Sequence, residues 1–340
     1  MATDRSDSRP GVLLLNFGGP ETLADVRPFL VNLFSDPDII RIRSDLMRRT
    51  LARLIALARQ RKSRALYRQI GGGSPLRRIT EEQAAALGAR LAERGMSAPV
   101  YVGMRCWRPS IDEALARIQS DGITRLAVVP LFPQFSFTTT GSCLNYFQAA
   151  SRKTGLADRA ELIPVQRWFD EPLYLEAMVE RITEARQRFS ASDPSEIHLL
   201  YSAHSIPESY IREGDTYRQE TEATVEMIDR RLGWRPASVL AYQSRVGPVR
   251  WLGPPTTDVL RRLGAGGAAR VLVVPVSFVS DHIETLQEID IRYRDLARAN
   301  GIREFHRAPS LNLHPKFIAA LAEISLRALT GGKVSEGGET

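Results

Sequence analysis

The chain has 340 residues, of which 25% are charged and 43% hydrophobic. This composition predicts a globular protein of about two domains and excludes fibrous or disordered classes. No apolar run of about 18 residues occurs, and the first ten residues contain two arginines and two aspartates, so we expect no membrane span, no signal peptide and a cytoplasmic location. The two cysteines, Cys106 and Cys143, are too few for a disulfide framework and are expected to be free thiols.

The formal net charge of +7 is concentrated in one segment. Ten basic residues lie between Arg41 and Arg68 against one acid, so this segment carries +9 and the remainder of the chain −2. Apolar residues recur there at steps of three and four, at Met47, Leu51, Leu54, Ile55 and Ala58. The pattern predicts a basic amphipathic helix that either docks its apolar face on the core or contacts an anionic membrane. No zinc or RNA-binding motif accompanies it, so nucleic acid is not an expected partner.

Short apolar runs that end in polar residues, glycine or proline predict parallel strands buried on both faces. They cover residues 12–15, 100–102, 126–129, 197–201, 239–241 and 271–274. Helical patterns lie between these runs, for example over 80–94 and 111–119. The alternation of strands and helices predicts an α/β protein.

The two halves of the chain resemble each other. The run 125–130 matches 270–275, with 145 residues between Pro130 and Pro275, whereas Pro20 and Pro207 are 187 apart, so the first half contains about 42 extra residues. We expect two similar doubly wound lobes, 11–165 and 166–310, whose parallel sheets face a cleft. The basic helix 41–68 is inserted near the cleft mouth, helix 311–330 packs back on the first lobe, and 1–10 and 331–340 are disordered tails.

Ionisable residues follow two of the predicted strands. His204 follows the run 197–201, where a hydrogen-bonded loop histidine is the alternative interpretation. Asp281, His282, Glu284 and Glu288 follow the run 271–274, where Asp281 and Glu284 also fit a capping box. A capping box needs only one acid of this group. His204 and Glu284 facing each other would suit a divalent first-row metal ion or proton transfer.

Two other segments have simpler interpretations. The glycines at 71–73 lack the Lys-Ser/Thr of a phosphate-binding loop and predict a tight turn. Phe132, Phe135 and Phe137 follow a strand and predict the lining of a large apolar pocket, with core packing as the alternative.

Several motifs together resemble those of the ferrochelatase family, from about Gly11 to Ala328. They are residues 16–23, 71–75, 103–107, 133–136 with 139–142, 202–205, 242–248 with 251–253, and 280–286. The resemblance implies two chelatase-like, Rossmann-like lobes with a porphyrin in the cleft. It also implies a lyase that inserts ferrous iron into protoporphyrin IX to form protoheme, the terminal step of heme biosynthesis, by distorting the macrocycle and deprotonating its pyrroles.

The resemblance also implies roles for single residues. His204 and Glu284 are the implied metal ligands and, with Asp281, His282 and Glu288, the implied catalytic group. The implied contacts to the porphyrin are Asn16, Phe17, Arg105, Trp251 and Phe278.

Departures from the family pattern refine these expectations. Cys106 stands where heme-making members often have tyrosine. No cysteine follows Cys143, so we expect no iron–sulfur cluster and no permanently bound cofactor, with Fe²⁺ as a substrate.

The family's cleft lip faces the membrane in some members and overlaps the insertion. Peripheral contact of 41–68 with the inner face of an anionic membrane is therefore an expectation. The open alternatives for the activity are a coproporphyrin or cobalt chelatase of the same fold, or a tetrapyrrole carrier that would need the cleft but not the ionisable residues.

Overall fold

The computed structural model describes residues 8–190, 193–245, 247 and 249–331, and within them the chain forms two four-stranded parallel sheets. The first sheet has the order β2-β1-β3-β4, and the second repeats it as β6-β5-β7-β8. Their bounds are β1 Pro10–Asn16, β2 Val100–Met104, β3 Arg125–Pro130, β4 Glu161–Pro164, β5 Ile197–His204, β6 Ala237–Gln243, β7 Arg270–Pro275 and β8 Glu304–Arg307. The expected two-lobed α/β fold is confirmed.

Helices cover the sheets. The α-helices are α1 Val26–Phe34, α2 Asp45–Arg68, α3 Leu76–Glu93, α4 Ile111–Ser120, α5 Ser142–Lys153, α6 Pro172–Arg186, α7 Glu208–Arg212, α8 Tyr217–Arg231, α9 Thr256–Ala265, α10 Arg294–Ala299 and α11 Pro315–Thr330. A π-helix precedes α5 at Phe137–Gly141, and another precedes α10 at Glu284–Tyr293. Each lobe therefore has a π-helix directly after its third strand, at the carboxyl end of the sheet.

The strand register relates the two lobes residue by residue. Leu15 of β1 pairs with Pro130, and Ser202 of β5 pairs with Pro275. Two positions further on, the first lobe has Phe17 and the second has His204, the last residue of β5. Phe17 and His204 therefore occupy corresponding positions in the two lobes.

A single apolar core joins the lobes because each central strand is buried on both faces. On β1, Val12 and Leu14 point into the core that both lobes share, whereas Leu13 and Leu15 point into the outer core of the first lobe. Helix α6 packs on β7 and α8 of the second lobe, and α11 packs on α3, β3 and α6. The lobes are thus tied by helices that cross between them.

The insertion between β1 and α3 is a hairpin of α1 and α2, and its orientation differs from the expected docked helix. Met47, Leu51 and Leu54 are exposed to 63%, 37% and 59%, whereas Ala52 and Ala56 are buried. The small alanines allow α2 to approach α1 closely, so the larger apolar side chains remain on the outside. Of the two alternatives for the apolar face of this helix, docking on the core was wrong.

The ends of the insertion and of the chain also differ in detail from the prediction. Helix α2 begins at Asp45, capped by the Ser44 side chain, so Arg41 precedes it. Residues 1–7 and 332–340 of the expected tails lie outside the described residues. Arg9 and Pro10 are not disordered, because the Arg9 backbone donates to the Thr124 hydroxyl at 2.9 Å and Pro10 begins β1. The left-handed Gly331 likewise ends α11 with a backbone bond to the helix.

Candidate active site

An imidazole and a carboxylate meet at the carboxyl end of the second sheet. The His204 backbone N–H donates to the Ser277 hydroxyl at 3.0 Å, which holds the end of β5 against the loop after β7. The Nδ1 atom of His204 lies 3.0 Å from Oε2 of Glu284, the first residue of the second π-helix. The His204 side chain is 38% exposed, so its ring remains accessible from the cleft.

His282 forms a second contact with the same carboxylate oxygen. Its Nε2 lies 3.5 Å from Glu284 Oε2, and its Nδ1 lies 3.1 Å from the carbonyl of Ser280. That backbone contact fixes the ring orientation, with Nδ1 as the donor. Glu284 is therefore flanked by two imidazoles.

The charges of this group shift one another's protonation. Burial would lower the pKa of His204, but the charge and hydrogen bond of Glu284, together with the charge of Glu288, raise it above its usual value. Burial would raise the pKa of Glu284, but the charge and hydrogen bond of His204, with those of His282, hold it well below its usual range. The pair favours imidazolium and carboxylate, so a proton on His204 is stabilised.

Glu288 lies four residues after Glu284 in the same π-helix, and its carboxylate accepts hydrogen bonds from four side chains. Gln243 Nε2 donates at 3.1 Å, the Tyr293 hydroxyl at 3.0 Å and Arg292 at 3.0 Å, and the Ser244 hydroxyl also donates to it. Ser244 adopts a left-handed φ of 66° at the end of β6, and this conformation accompanies the placement of its hydroxyl on the carboxylate. Glu288 is a fixed negative charge behind the His204–Glu284 pair.

Asp281 belongs to a different cluster. Its carboxylate accepts from Ser310 and Asn312 at 2.8 Å each and from Thr285 at 3.1 Å, and it pairs with Arg307 at 3.1 Å. It does not form the capping box with Glu284, because Ile283 is the N-cap and makes no side-chain cap. These bonds fasten the loop that carries the histidine and the π-helix.

Half-buried aromatic side chains lie at the carboxyl ends of both sheets, and Phe278 of the second lobe contacts the two imidazoles. Phe17 packs against Phe132 with ring centroids 5.3 Å apart, on the first-lobe side. Phe278 lies 6.4 Å from the His204 ring and 4.7 Å from the His282 ring. The first lobe therefore has an aromatic pair at this end of its sheet, where the second lobe has the two imidazoles and Phe278.

Asn16 and Trp251 have different settings. The Asn16 side chain is buried, donates to Thr80 at 3.3 Å and accepts from the Phe17 backbone at 2.8 Å, so it fixes the end of β1. Trp251 forms an isolated β-bridge with Pro207, and its buried indole N–H has no hydrogen-bond partner among the residues that the structure describes. An unpaired buried donor costs stability and is free to meet an acceptor on a ligand.

Arg105 is engaged by the protein itself. Its guanidinium pairs with Asp36 at 3.1 Å, donates to Ser142 at 3.1 Å and lies over the Tyr146 ring at 4.4 Å. Only 10% of the Arg105 side chain is exposed. Its charge is therefore already neutralised inside the first lobe.

Sequence reasoning missed three residues of this site. Burial raises the pKa of Tyr67 in the first lobe, and the charge of Glu284 in the second lobe raises it further. Gln243 and Ser244 hold Glu288, although the sequence motif that contains them carried no assigned role. Their position after β6, at the same sheet end as His204, was the signal available for them.

The two cysteines are buried free thiols. Burial raises the pKa of Cys106 to about 12; the charge of Arg105 lowers this pKa and the charge of Asp36 raises it, both by less. Burial also raises the pKa of Cys143 well above its usual value. Neither thiol is disposed to form a thiolate near neutral pH.

Two further features concern metals and membranes. No group of three or more His, Cys, Asp or Glu side chains among the described residues is arranged as a metal site. Within the same part of the chain, no helix is both long and apolar enough to cross a bilayer.

Comparisons with known proteins point to one family. A family model described as ferrochelatase matches residues 9–329. The ferrochelatase of Synechococcus sp. (strain JA-3-3Ab) is 52% identical over 318 residues, which is 93% of each chain. The ferrochelatase of Gloeothece citriformis is 50% identical over 323 residues, covering 95% of this chain and 83% of the relative.

Solved structures share the fold at much lower identity. SirB from Bacillus subtilis with Fe³⁺ has a TM-score of 0.57 at 10% identity, over 95% of this chain and 96% of SirB. CbiX, the terminal enzyme for biosynthesis of siroheme in denitrifying bacteria, has a TM-score of 0.51 at 16% identity, over 94% and 99%. These likenesses concern the two-lobed fold alone.

The relatives reported at about 50% identity are both named ferrochelatase, so the family resemblance of the motifs is confirmed. A cobalt or coproporphyrin chelatase and a carrier are not favoured. The chain belongs to the ferrochelatase family, the enzymes that insert iron into protoporphyrin to make heme.

Proposed function

We propose that the chain performs this insertion in the cleft between its lobes, with His204 and Glu284 at the reacting centre. The observation that carries the assignment is the 3.0 Å contact between the two side chains, beside the half-buried Phe278 and with the pair Phe17 and Phe132 at the corresponding end of the first sheet. Ferrous iron and protoporphyrin IX are both substrates. An apolar ring of this size is suited to the cleft wall formed by Phe17 and Phe132.

The chemistry requires a base and a distorted ring. A porphyrin loses two pyrrole protons as the metal enters, and a planar ring hides its nitrogen lone pairs. Contacts of the aromatic wall with the periphery of the ring can offset the strain of bending it. In its neutral form His204 accepts a proton at Nε2, and Glu284 stabilises the resulting imidazolium through Nδ1. His204 and Glu284 also offer the nitrogen and oxygen ligands that suit ferrous iron.

We assign supporting roles to the other residues of the group. Glu288 supplies the negative charge that keeps His204 basic, and His282 orients the Glu284 carboxylate. Asp281 fixes their loop. Phe17, Phe278 and Trp251 contact the ring in this proposal, and Asn16 holds Phe17 in place. We expect no iron–sulfur cluster, because both thiols are buried and poorly suited to hold one.

A substrate comparison tests the assignment. Insertion of Zn²⁺ and Fe²⁺ is measured with protoporphyrin IX and with coproporphyrin III, in the native protein and in His204→Ala. We expect turnover with protoporphyrin to exceed that with coproporphyrin, and insertion by His204→Ala to fall by about 100-fold or more while porphyrin binding persists. Unchanged insertion by His204→Ala would remove the catalytic assignment, and absent insertion by the native protein would favour a carrier.

We further propose that α2 contacts an anionic membrane at the inner face of the cytoplasmic membrane. Large apolar side chains of α2 are exposed to solvent, with Leu46 exposed to 77% and Leu57 to 52%. Arg53 and Arg61 of the same helix are also exposed. Inserting such leucines in a lipid interface contributes roughly 1.5 to 3 kcal/mol each when fully buried, and each arginine adds about 1 kcal/mol at an anionic surface. The membrane would also hold the apolar porphyrin.

Vesicle flotation tests this contact. We expect binding to vesicles with phosphatidylserine, weakened by salt and by replacing Arg49, Arg53 and Arg61 with Gln, and lost when Leu46, Leu54 and Leu57 become Ser. Arg48 is unsuitable for this test because it is buried and donates to the Ser35 and Ile42 carbonyls. Equal flotation of native protein and both variants, or none by the native protein, would contradict the proposal.

A further inference from the structure

Residues 36–42, here called the strap, connect α1 to α2 and run from the first lobe to the second. The first end is anchored inside the first lobe. Asp36 is 1% exposed, pairs with Arg105 at 3.1 Å and accepts from the Ser142 hydroxyl. Arg105 follows β2 and Ser142 begins α5, so the anchor lies at the carboxyl end of the first sheet.

The base of the strap is closed by one buried side chain. Arg48 of α2 donates from Nε to the carbonyl of Ser35 and from Nη1 to the carbonyl of Ile42, each at 2.9 Å. The Arg48 side chain therefore links Ser35, just before the strap, to Ile42, its last residue. Between them the strap is a short loop that projects toward the second lobe.

The projecting end reaches α7 of the second lobe. The guanidinium carbon of Arg41 lies 4.1 Å from the centroid of the Tyr210 ring and 5.4 Å from that of Phe137, and Arg41 pairs with Glu213. The Tyr210 hydroxyl also donates to the Ile39 carbonyl at 3.4 Å. Helix α7 begins four residues after His204, so this contact joins the strap to the segment that follows the carboxyl end of β5.

The two ends of the strap differ in strength. The Asp36 and Arg105 side chains are 0% and 10% exposed, and breaking a buried pair leaves an uncompensated charge. The Arg41 and Glu213 side chains are 38% and 49% exposed, and exposed pairs and cation–π contacts are individually weak. The Arg41 contact is therefore the weaker end of the strap.

The lobes themselves are joined by buried contacts that leave little freedom for hinge opening. Gln83 of the first lobe donates to Ser280 of the second at 2.9 Å, and Glu220 of the second lobe accepts from the Phe135 backbone at 2.6 Å. Both Gln83 and Glu220 are almost fully buried. A bulky ring that enters the cleft must then pass a movable part of its rim.

We propose that Arg41 and Arg105 are positioning residues for the strap. Arg105 fixes its first end through Asp36, and Arg41 closes its free end on Tyr210 and Glu213, so that release of Arg41 admits the porphyrin and lets the product leave. The proposal rests on the ring occupying the cleft, as proposed above. It makes Arg105 a residue that acts through Asp36 rather than a ligand of the porphyrin.

Stopped-flow binding of protoporphyrin IX tests the contact of Arg41 with Tyr210 and Glu213, here called the clasp. In Arg41→Gln and Glu213→Gln we expect association and dissociation rates to rise together by about five- to tenfold, with a nearly unchanged Kd, because the closed strap slows passage in both directions. Arg43→Gln removes the same charge two residues away and should leave both rates unchanged. Arg41→Glu combined with Glu213→Arg should return the rates toward the native values.

The dimethyl ester of protoporphyrin IX separates positioning from ligand roles. It lacks the carboxylates that an arginine would bind, so a positioning role predicts the same fold-change for acid and ester in Arg41→Gln and Arg105→Gln. A change confined to the free acid would overturn the proposal, as would native rates in both clasp variants. Phe17→Ala reports on the cleft itself: if it binds protoporphyrin as tightly as the native protein, the placement of the ring fails, whatever the strap does.

Discussion

In the first lobe the position that corresponds to His204 is occupied by Phe17, and the contact that each makes with the loop after its third strand differs in kind. The tilted rings of Phe17 and Phe132 have centroids 5.3 Å apart, whereas the His204 backbone donates to the Ser277 hydroxyl at 3.0 Å. Phe132 and Ser277 are 145 residues apart, the same step that separates Pro130 from Pro275. One framework thus carries an apolar contact in one lobe and a polar contact in the other.

The same step of 145 residues extends the contrast to residues in and next to the two π-helices. His282, Glu284 and Glu288 in the second lobe correspond to Phe137, Thr139 and Cys143 in the first. None of the first-lobe residues carries charge near neutral pH, since the Cys143 thiol has a raised pKa through burial. A repeated scaffold can thus supply apolar contacts for the porphyrin from one lobe and proton-transferring groups from the other.

Exchanging the corresponding residues gives the largest expected effect. His204→Phe should lower metal insertion by about 100- to 10,000-fold because the proton acceptor is lost. Phe17→His should mainly weaken porphyrin binding, since a histidine there has no carboxylate at the position of Glu284. The double exchange should remain inactive in a zinc-insertion assay. Recovery of a tenth of the native rate by the double variant would show that the lobes are chemically interchangeable.

The residues that anchor the loops after β3 and β7 give the next largest expected effect, which is on stability. Asp281 corresponds by the step of 145 to Ser136, which donates its hydroxyl to Asp215 at 2.9 Å. Asp281→Asn should lower the free energy of unfolding by roughly 2 to 3 kcal/mol, because the Arg307 side chain, only 10% exposed, loses the charge of one of its two carboxylate partners. Urea unfolding measures the change.

Asp258→Asn is the matched control for that variant. Asp258 is 55% exposed in its pair with Arg261, so the same substitution there should change stability by less than about 0.5 kcal/mol. If Asp281→Asn kept native stability and still lost metal insertion, a direct catalytic role for Asp281 would replace the structural one.

The strands and the central pair were predictable because they depend on local patterns and a topological rule. Runs apolar on both faces mark buried parallel strands, and the carboxyl ends of such strands meet at one edge. That rule brought His204 and Glu284 together although 80 residues separate them. The motif resemblance then named the chemistry.

The remaining features depend on contacts that no local pattern encodes. Helix α2 turns its alanines inward because α1 offers a close-packed neighbour, and hydropathy periodicity alone assigns its leucines to the core. Asp36 and Arg105 are far apart in the chain, and their ion pair neutralises the guanidinium that the motif resemblance assigned to the porphyrin. The π-helices follow from a hydrogen-bond pattern that differs little from an α-helix in side-chain spacing.

The smallest expected effect concerns the charge behind His204, which the first lobe lacks at Cys143. Glu284 and Glu288 raise the pKa of His204, so its imidazolium contributes stability below the ordinary histidine pKa of about 6.5 and loses that contribution as pH rises through the folded value. Glu288→Gln should lower the pKa of His204. An NMR titration of the apo protein should then show the imidazole losing its proton at lower pH. The acid limb of the rate profile should move in the same direction, because neutral His204 is the form that accepts a pyrrole proton. A titration unchanged in Glu288→Gln, while Gln243 and Tyr293 still hold the side chain, would show that Glu284 alone sets the basicity of the imidazole.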